Sequence, residues 1–310
     1  MSNENNMNIL LKNFLKQSIL YPFVWIRRKK EAYLIKHNPE KMFSIWYKRS
    51  NGKYLDINNP KTLYDKIAYM SFRTDTSKWS ELADKVKVYD YVKKCGLSEI
   101  LPKLYGVYNS SSDIDYNRLP KSFVLKTNNG CATNILVKDK TILNIKEVNR
   151  QLDEWMGIDY GYLTCQPHYS RIKPLILAEE YLIDSLHPDR ALFDYKFYCI
   201  NGEPLYVIVY TDRKPNTHDM RRSLYDMNWV LHQEYLGRYA VAGDGVERPK
   251  SFSKMIEIVR KLSSGFKFVR VDLYEVNGEP VFGEMTFTPG MQATSEEFMI
   301  ELGKMIDLNA

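Results

Sequence analysis

The sequence lacks any CxxC pair. Its four cysteines, Cys95, Cys131, Cys165 and Cys199, are nearly evenly spaced, with no repeat motif around them. Reduced thiols in a cytoplasmic protein are therefore the expectation. A long apolar run is missing too. Asn8 to Ile26 comes nearest, but Lys12, Lys16 and Gln17 interrupt it and no small-residue cleavage site follows. Neither a membrane span nor a signal peptide is expected there. Charge of one sign is scarce as well: the net value is +6, from 44 basic and 38 acidic residues spread along the chain. That balance gives no support to nucleic-acid binding; it suits an anionic small molecule or a weak attraction to a membrane surface.

What is present is ample core material, with 44% hydrophobic and 13% aromatic residues in 310. One two-lobed molecule is expected rather than two independent domains. Leu10, Leu11, Phe14, Leu15 and Ile19 share one helical face ahead of Arg27-Arg28-Lys29-Lys30. Such a segment can lie on an anionic membrane, although a packed N-terminal helix is the plainer reading. Thr62 is placed to cap a helix through Lys66, Ile67 and Met70, and Glu81 to Lys94 reads as one helix ended by Gly96. Strands are expected at Leu104 to Tyr108, Phe123 to Lys126, Ile135 to Lys138 and Pro174 to Leu182, with a helix at Ile145 to Trp155. A hairpin follows over Asp194 to Tyr210. Thr217 to Trp229 and Gly243 to Pro249 read as polar loops near the substrate, and helices close the chain at Phe252 to Leu262 and Ser295 to Met305.

The most informative stretch is Phe268 to Gly290, FVRVDLYEVNGEPVFGEMTFTPG. Apolar and polar residues alternate on either side of Asn277-Gly278, as in two antiparallel strands and a tight turn. Arg270, Asp272, Glu284 and Thr286 are unusual polar residues for such apolar strands. Two carboxylates there call for a cation, and Mg²⁺ takes a few carboxylates plus phosphate oxygens. A strict two-residue loop would put Asp272 and Glu284 on opposite faces. A three-residue loop with a glycine bulge would restore matching parity, so the metal hypothesis predicts that loop. Elsewhere, the strand ending in Lys126, the small-residue loop Thr127 to Asn134 and the strand ending in Lys138 suit backbone N–H groups draped over phosphates. Both lysines would add point charges.

The RxD…ExTxTPG arrangement resembles the metal-binding end of the ATP-grasp ligases, with Thr286 where those enzymes usually have Asn. From about Pro60 onward the chain is similar to the TupA-like ATP-grasp proteins of bacterial surface-polysaccharide loci. The resemblance implies an α+β ATP-grasp fold, two α+β lobes clasping ATP, with a helical N-terminal extension. It implies a helical region at 1–80, a pre-grasp segment at 81–120, a small lobe at 121–182 and a large lobe with the metal site at 183–310. Mg²⁺ would be held by Asp272 and Glu284, with Thr286 as the third contact, and ATP would meet Lys126, Asn128, Gly130 and Lys138. Gly130 is the one glycine kept from the family's glycine-rich loop. Glu179, Glu180 and Leu182 would read the base, Asp184 would face the ribose, and Arg270, Lys196 and Arg213 would serve the reacting groups.

The activity implied is ATP-dependent joining of a carboxylate to an amine through an acylphosphate. The partners would be a uronic acid of a surface polysaccharide or its precursor and an amino acid or other amine, with no nucleic acid. The location would be cytoplasmic, with peripheral contact at the inner membrane surface. The rival from another class is a glycosyltransferase using a nucleotide sugar, whose DxD letters occur at Asp113-Ile114-Asp115. A kinase would share the ATP machinery, and a membrane scaffold would explain the basic N-terminus but not the polar hairpin. His168, a lone histidine after Pro167, reads as structural.

Overall fold

In the computed structural model, which describes residues 26–188, 190–212, 220–237, 240–290 and 294–309, two antiparallel sheets are laid down one after the other. The first has the order β1-β4-β2-β3, from β1 (Leu104–Tyr108), β2 (Phe123–Thr127), β3 (Asn134–Val137) and β4 (Ile176–Glu180). The second has the order β7-β6-β5-β8-β9, from β5 (Asp194–Ile200), β6 (Glu203–Thr211), β7 (Arg221–Asp226), β8 (Phe268–Val276) and β9 (Glu279–Thr286). Helices α1 (26–37), α2 (Pro39–Asn51), α3 (Leu63–Arg73), α4 (Ser77–Ala83) and α5 (Val88–Lys94) come first. Between β3 and β4 lie α6 (Ile145–Met156), α7 (Tyr160–Thr164) and α8 (Pro167–Ser170); α9 (Phe252–Ser263) precedes β8 and α10 (Glu296–Lys304) follows β9.

Local chemistry sets several of these bounds. Thr62 and Asp65 form a capping box at α3, with Asp65 N–H donating to Thr62 Oγ1 at 3.2 Å and Thr62 N–H to Asp65 Oδ2 at 2.9 Å. Ser295 caps α10, where Glu296 and Glu297 occupy the positive end of the helix dipole. The apolar stripe of α9, Phe252, Met255, Val259 and Leu262, is buried against the second sheet, and the Phe252 and Phe197 rings lie 6.1 Å apart. Two hydrophobic cores result. One joins residues of α2 to α5, through Ile100, to the second sheet; the other, with Ile114, Leu119, Phe123, Val148 and Leu152, belongs to the first. Residues 81–120 are thus shared between the two cores.

Three expectations are corrected. Glu81 to Lys94 is two helices, because buried Asp84 leaves the helix and accepts hydrogen bonds from Val86 N–H at 2.9 Å and Asn128 Nδ2 at 2.9 Å. Thr217 to Trp229 is not all loop, since its described part contains the edge strand β7. The β8–β9 turn has two residues rather than three: Asn277 (φ 54°) and Gly278 (φ 82°), with Val276 opposite Glu279. Parity is restored further along, where Leu273 pairs with Phe282 but Asp272 pairs with Glu284. Gly283 is the extra residue of this bulge, and a Cβ there would stand 2.9 Å from the Asp272 carbonyl oxygen. The β5–β6 hairpin repeats the design, with Asn201 (φ 51°) and Gly202 (φ 84°) in the turn and a register shift after Tyr198.

The apolar N-terminal stretch ending near Ile26 and the 213–219 segment lie outside the described residues. Among the described residues, no helix is long and apolar enough to cross a membrane.

Candidate active site

The bulge places Asp272 and Glu284 opposite each other, and the ladder places Lys196 opposite Asp272 and Arg270 opposite Thr286. All five therefore project from one face of the second sheet, while Val271, Leu273 and Phe197 fill the other. Arg270 is the hub. Its Nε donates to Asp272 Oδ1 at 2.6 Å, and its Nη2 to Asp272 Oδ2 at 2.7 Å, Glu284 Oε1 at 2.8 Å and Thr286 Oγ1 at 3.0 Å. Thr286 Oγ1 also donates to Glu284 Oε1 at 3.0 Å. Lys196 Nζ bonds Asp272 and lies 2.7 Å from Asp194 Oδ2.

Burial pushes the Asp272 carboxyl up to about 6, against the pull of Arg270 and Lys196. Burial acts the same way on Glu284, but Arg270, then Lys196 and Lys85, outweigh it and hold that carboxyl at about 2. For Lys196, burial favours the neutral form, yet Asp194 and Asp272 prevail and keep its pKa above the usual lysine value.

Lys126 forms an ion pair with Glu179 on the first sheet, and Tyr89 OH donates to the other oxygen of Glu179 at 2.8 Å. Glu179 is buried on the Lys126 face, whereas Glu180 points the other way and accepts from Lys103 N–H at 3.1 Å. Leu182 lies two residues past β4, half-buried. Asp184 is committed to the hairpin tip: its Oδ1 accepts from Asn277 N–H at 3.1 Å and Leu186 N–H at 3.2 Å, and its Oδ2 lies 2.7 Å from His187 Nδ1. No carboxylate oxygen is left bare for a ribose. Asn128 is similarly spent, because its amide donates to Asp84 and to Lys173 O at 3.1 Å and accepts from Leu175 N–H at 2.7 Å. It shapes the loop rather than offering an amide to phosphate. Gly130 leaves room for the Tyr160 ring, 3.1 Å from where a Cβ would stand. Lys138 is exposed beyond the end of β3, at the opposite end of the hairpin from the Lys126–Asn134 pair. Arg213 lies outside the described residues.

Sequence reasoning missed Lys85. Its Nζ donates to the Gly130 carbonyl, and its pKa is lowered by burial, with Glu284 opposing the shift and Lys126 adding to it. It stands between the 127–134 loop, through Gly130, and Glu284 of the second sheet. The Asp113-Ile114-Asp115 letters do not converge: Asp113 ends a 3₁₀ turn, Ile114 is buried in the first sheet's core, and Asp115 pairs with Arg118 at 3.3 Å.

The TupA-like ATPgrasp family profile matches residues 65–307. The chain belongs to the TupA-like ATP-grasp family. No curated protein matches it in sequence. Similar solved structures include an L-amino acid ligase from Bacillus licheniformis, at 15% identity and TM-score 0.47, covering 72% of this chain and 47% of that one. A D-alanine–D-alanine ligase from Bacillus anthracis, complexed with ATP, is 15% identical with TM-score 0.45, covering 73% of this chain and 65% of that one. The corresponding enzyme from Helicobacter pylori is 15% identical with TM-score 0.42, covering 80% and 70%. The chain thus spans 47% and 65% of the length of the first two.

ATP-grasp proteins use ATP with Mg²⁺, and the donor set here fits that ion. Asp272, Glu284 and Thr286 offer oxygen alone, Glu284 is ionised, and its side chain is 39% exposed to an arriving ligand. No group of three or more His, Cys, Asp or Glu converges among the described residues. The remaining ligands of a Mg²⁺ would be phosphate oxygens and water, as a metal that arrives with a nucleotide requires.

Proposed function

We propose that this TupA-like ATP-grasp protein is an ATP-dependent carboxylate–amine ligase that attaches an amino acid or other amine to a uronic acid of a bacterial surface polysaccharide. The observation that carries the reading is the Gly283 bulge, which turns Glu284 onto the Asp272 face beside Arg270. The polysaccharide part rests on the family resemblance.

ATP would supply the phosphoryl group that makes the carboxylate oxygen a leaving group, and Mg²⁺ would neutralise the phosphates. This chain's own groups do the positioning that phosphoryl transfer mainly demands. Asp272, Glu284 and Thr286 would hold the metal, and Lys85, Lys126 and the backbone of the 127–134 loop the phosphates. Glu179 and the Leu182 backbone would take the base. Arg270 and Lys196 would orient the acid and offset its charge. Their pKa values lie above the ordinary ones, so neither is a proton acceptor, and the attacking amine would lose its proton to solvent. Exclusion of other water protects the acylphosphate until the amine arrives. The exposed Arg27-Arg28-Lys29-Lys30 cluster supports peripheral contact with the anionic inner membrane face.

The test is thermal stabilisation by ATP with and without Mg²⁺, beside a panel of UDP-sugars, in wild type and Glu284→Gln. Mg²⁺-dependent stabilisation by ATP that the variant loses is expected, followed by ADP release from a uronic acid plus an amine. Stabilisation by a UDP-sugar with none from ATP would sink the ligase reading.

A further inference from the structure

Nearly every cation on the second sheet has its carboxylate. Arg270 bonds Asp272 and Glu284, and Lys196 bonds Asp194 and Asp272. Arg221 lies 3.2 Å from Asp244 and 3.7 Å from Asp212. Its neighbour Arg222 differs. Arg222 pairs with Tyr210, and Tyr210 with Asp194, so its side chain leaves the sheet on the face of Asp194 and Lys196. Its guanidinium carbon lies 5.2 Å from the centroid of the Tyr210 ring, and the Lys196 ammonium lies 5.3 Å from the same centroid. Arg222 Nε is buried without a hydrogen-bond partner, and no carboxylate pairs with this guanidinium among the described residues. The backbone is clamped: Arg222 N–H donates to Val241 O at 2.9 Å, and its carbonyl accepts from Gly243 N–H at 2.8 Å.

A half-buried guanidinium whose Nε is sealed off without a partner, and which has no carboxylate beside it, is placed to receive an anion that a ligand brings. Its planar fork matches carboxylate or phosphate, and the aromatic face beneath holds it in place. With the reacting carboxylate held at the Arg270 end, an anion at Arg222 is a second acidic group of the ligand. From the Asp272 strand to the Arg222 strand is three strand spacings, roughly 14 Å, more than an arginine side chain spans. A ligand reaching both has one acidic group at the Arg270 end and another across its own width.

We propose that the acid substrate is a glycosyl phosphate of a uronic acid, and that Arg222, braced on Tyr210, binds its non-reacting phosphate. This rests on the ligase reading. It places the reaction on an activated precursor, nucleotide- or lipid-linked, rather than on finished polymer, whose glycosidic linkages leave no anomeric phosphate. The enzyme then acts after the step that forms the phosphorylated uronic acid and before the transferase that consumes it.

The test is calorimetric titration of the full chain loaded with Mg²⁺ and a non-hydrolysable ATP analogue. Glucuronic and galacturonic acid 1-phosphates are compared with the methyl glycosides of the same acids. The phosphates should bind at least about tenfold more tightly, as a charge-assisted bidentate contact warrants. Arg222→Gln should erase that advantage while the methyl glycosides bind as before, and Arg222→Lys should keep part of it. Tyr210→Leu is the second variant, expected to weaken the phosphates alone. UDP-linked and prenyl-diphosphate-linked uronic acids then separate the two sources of the group. Equal affinities, an advantage that survives Arg222→Gln, or no binding of either form to a chain that binds the analogue would each overturn the proposal. Failure to bind the analogue itself would bring down the ligase reading, and this inference with it.

Discussion

His168 packs edge-on against Trp79, with ring centroids 5.6 Å apart, and neither of its nitrogens has a hydrogen-bond partner. Burial, with Arg171 nearby, lowers its pKa to about 3. The sign follows. Below the ordinary value near 6.5 the unfolded chain takes up a proton that the folded chain refuses, so stability falls as pH drops, by up to about 1.4 kcal/mol per pH unit. Asp272, with its carboxyl raised to about 6, slopes the other way between its ordinary value and 6. Wild type minus His168→Phe therefore isolates the histidine. The variant should be at least as stable at pH 7.5, and its stability relative to wild type should increase as the pH falls from 7.5 to 5, read from urea midpoints; a difference that does not change with pH would refute it. Lys85 makes the second prediction at this scale. Lys85→Met removes the charge between Gly130 and Glu284, and should weaken Mg²⁺·ATP binding by about tenfold or more, equivalent to about 1.4 kcal/mol, in a titration that leaves the circular dichroism spectrum intact.

At the scale of the element, the decisive object is the β8–β9 hairpin. Gly283→Val would push a branched side chain onto the Asp272 carbonyl and the Tyr274 ring, 2.9 and 3.2 Å from the added Cβ. It should cost about 1–3 kcal/mol of stability. It should also abolish Mg²⁺-dependent stabilisation by ATP, which an equally destabilising change in the β5–β6 hairpin would spare. Thermal shift with and without metal separates the two. This hairpin also shows what the sequence could tell. Alternation and the Asn-Gly turn disclosed both strands, and parity required one extra residue. The letters could not say whether that residue sat in the turn or at Gly283, because both satisfy the same count. The single helix expected over Glu81 to Lys94 failed for a related reason. Asp84 leaves the helix to meet Asn128, 44 residues away, and no local periodicity records that bond. Lys85 follows Asp84 and shares its invisibility to local pattern, and β7, RRSLYD, reads as loop because it lacks strand alternation and follows a polar run.

At the scale of the molecule, the N-terminal helices belong to the large core. Trp79 of α4 stacks on Phe287, just past β9, at 5.0 Å and 9°, so the helical region grips the end of the strand that carries Glu284 and Thr286. Trp79→Ala should cost about 3–5 kcal/mol of stability by calorimetry. It should also lower the affinity for Mg²⁺·ATP, although Trp79 is far in sequence from either carboxylate. The charge network on the second sheet has one further consequence. Two cations, Arg270 and Lys196, already pair with Asp194, Asp272 and Glu284. If these residues hold the metal, a lone ion would have to compete with Arg270 for its carboxylates, and a lone triphosphate would have to approach acidic groups that no metal covers. Each ligand would bring the charge that admits the other, and whatever factor one added to its companion's affinity the companion would return in equal measure. A site so built would behave as a logical conjunction, quiet to either input alone and responsive to the pair.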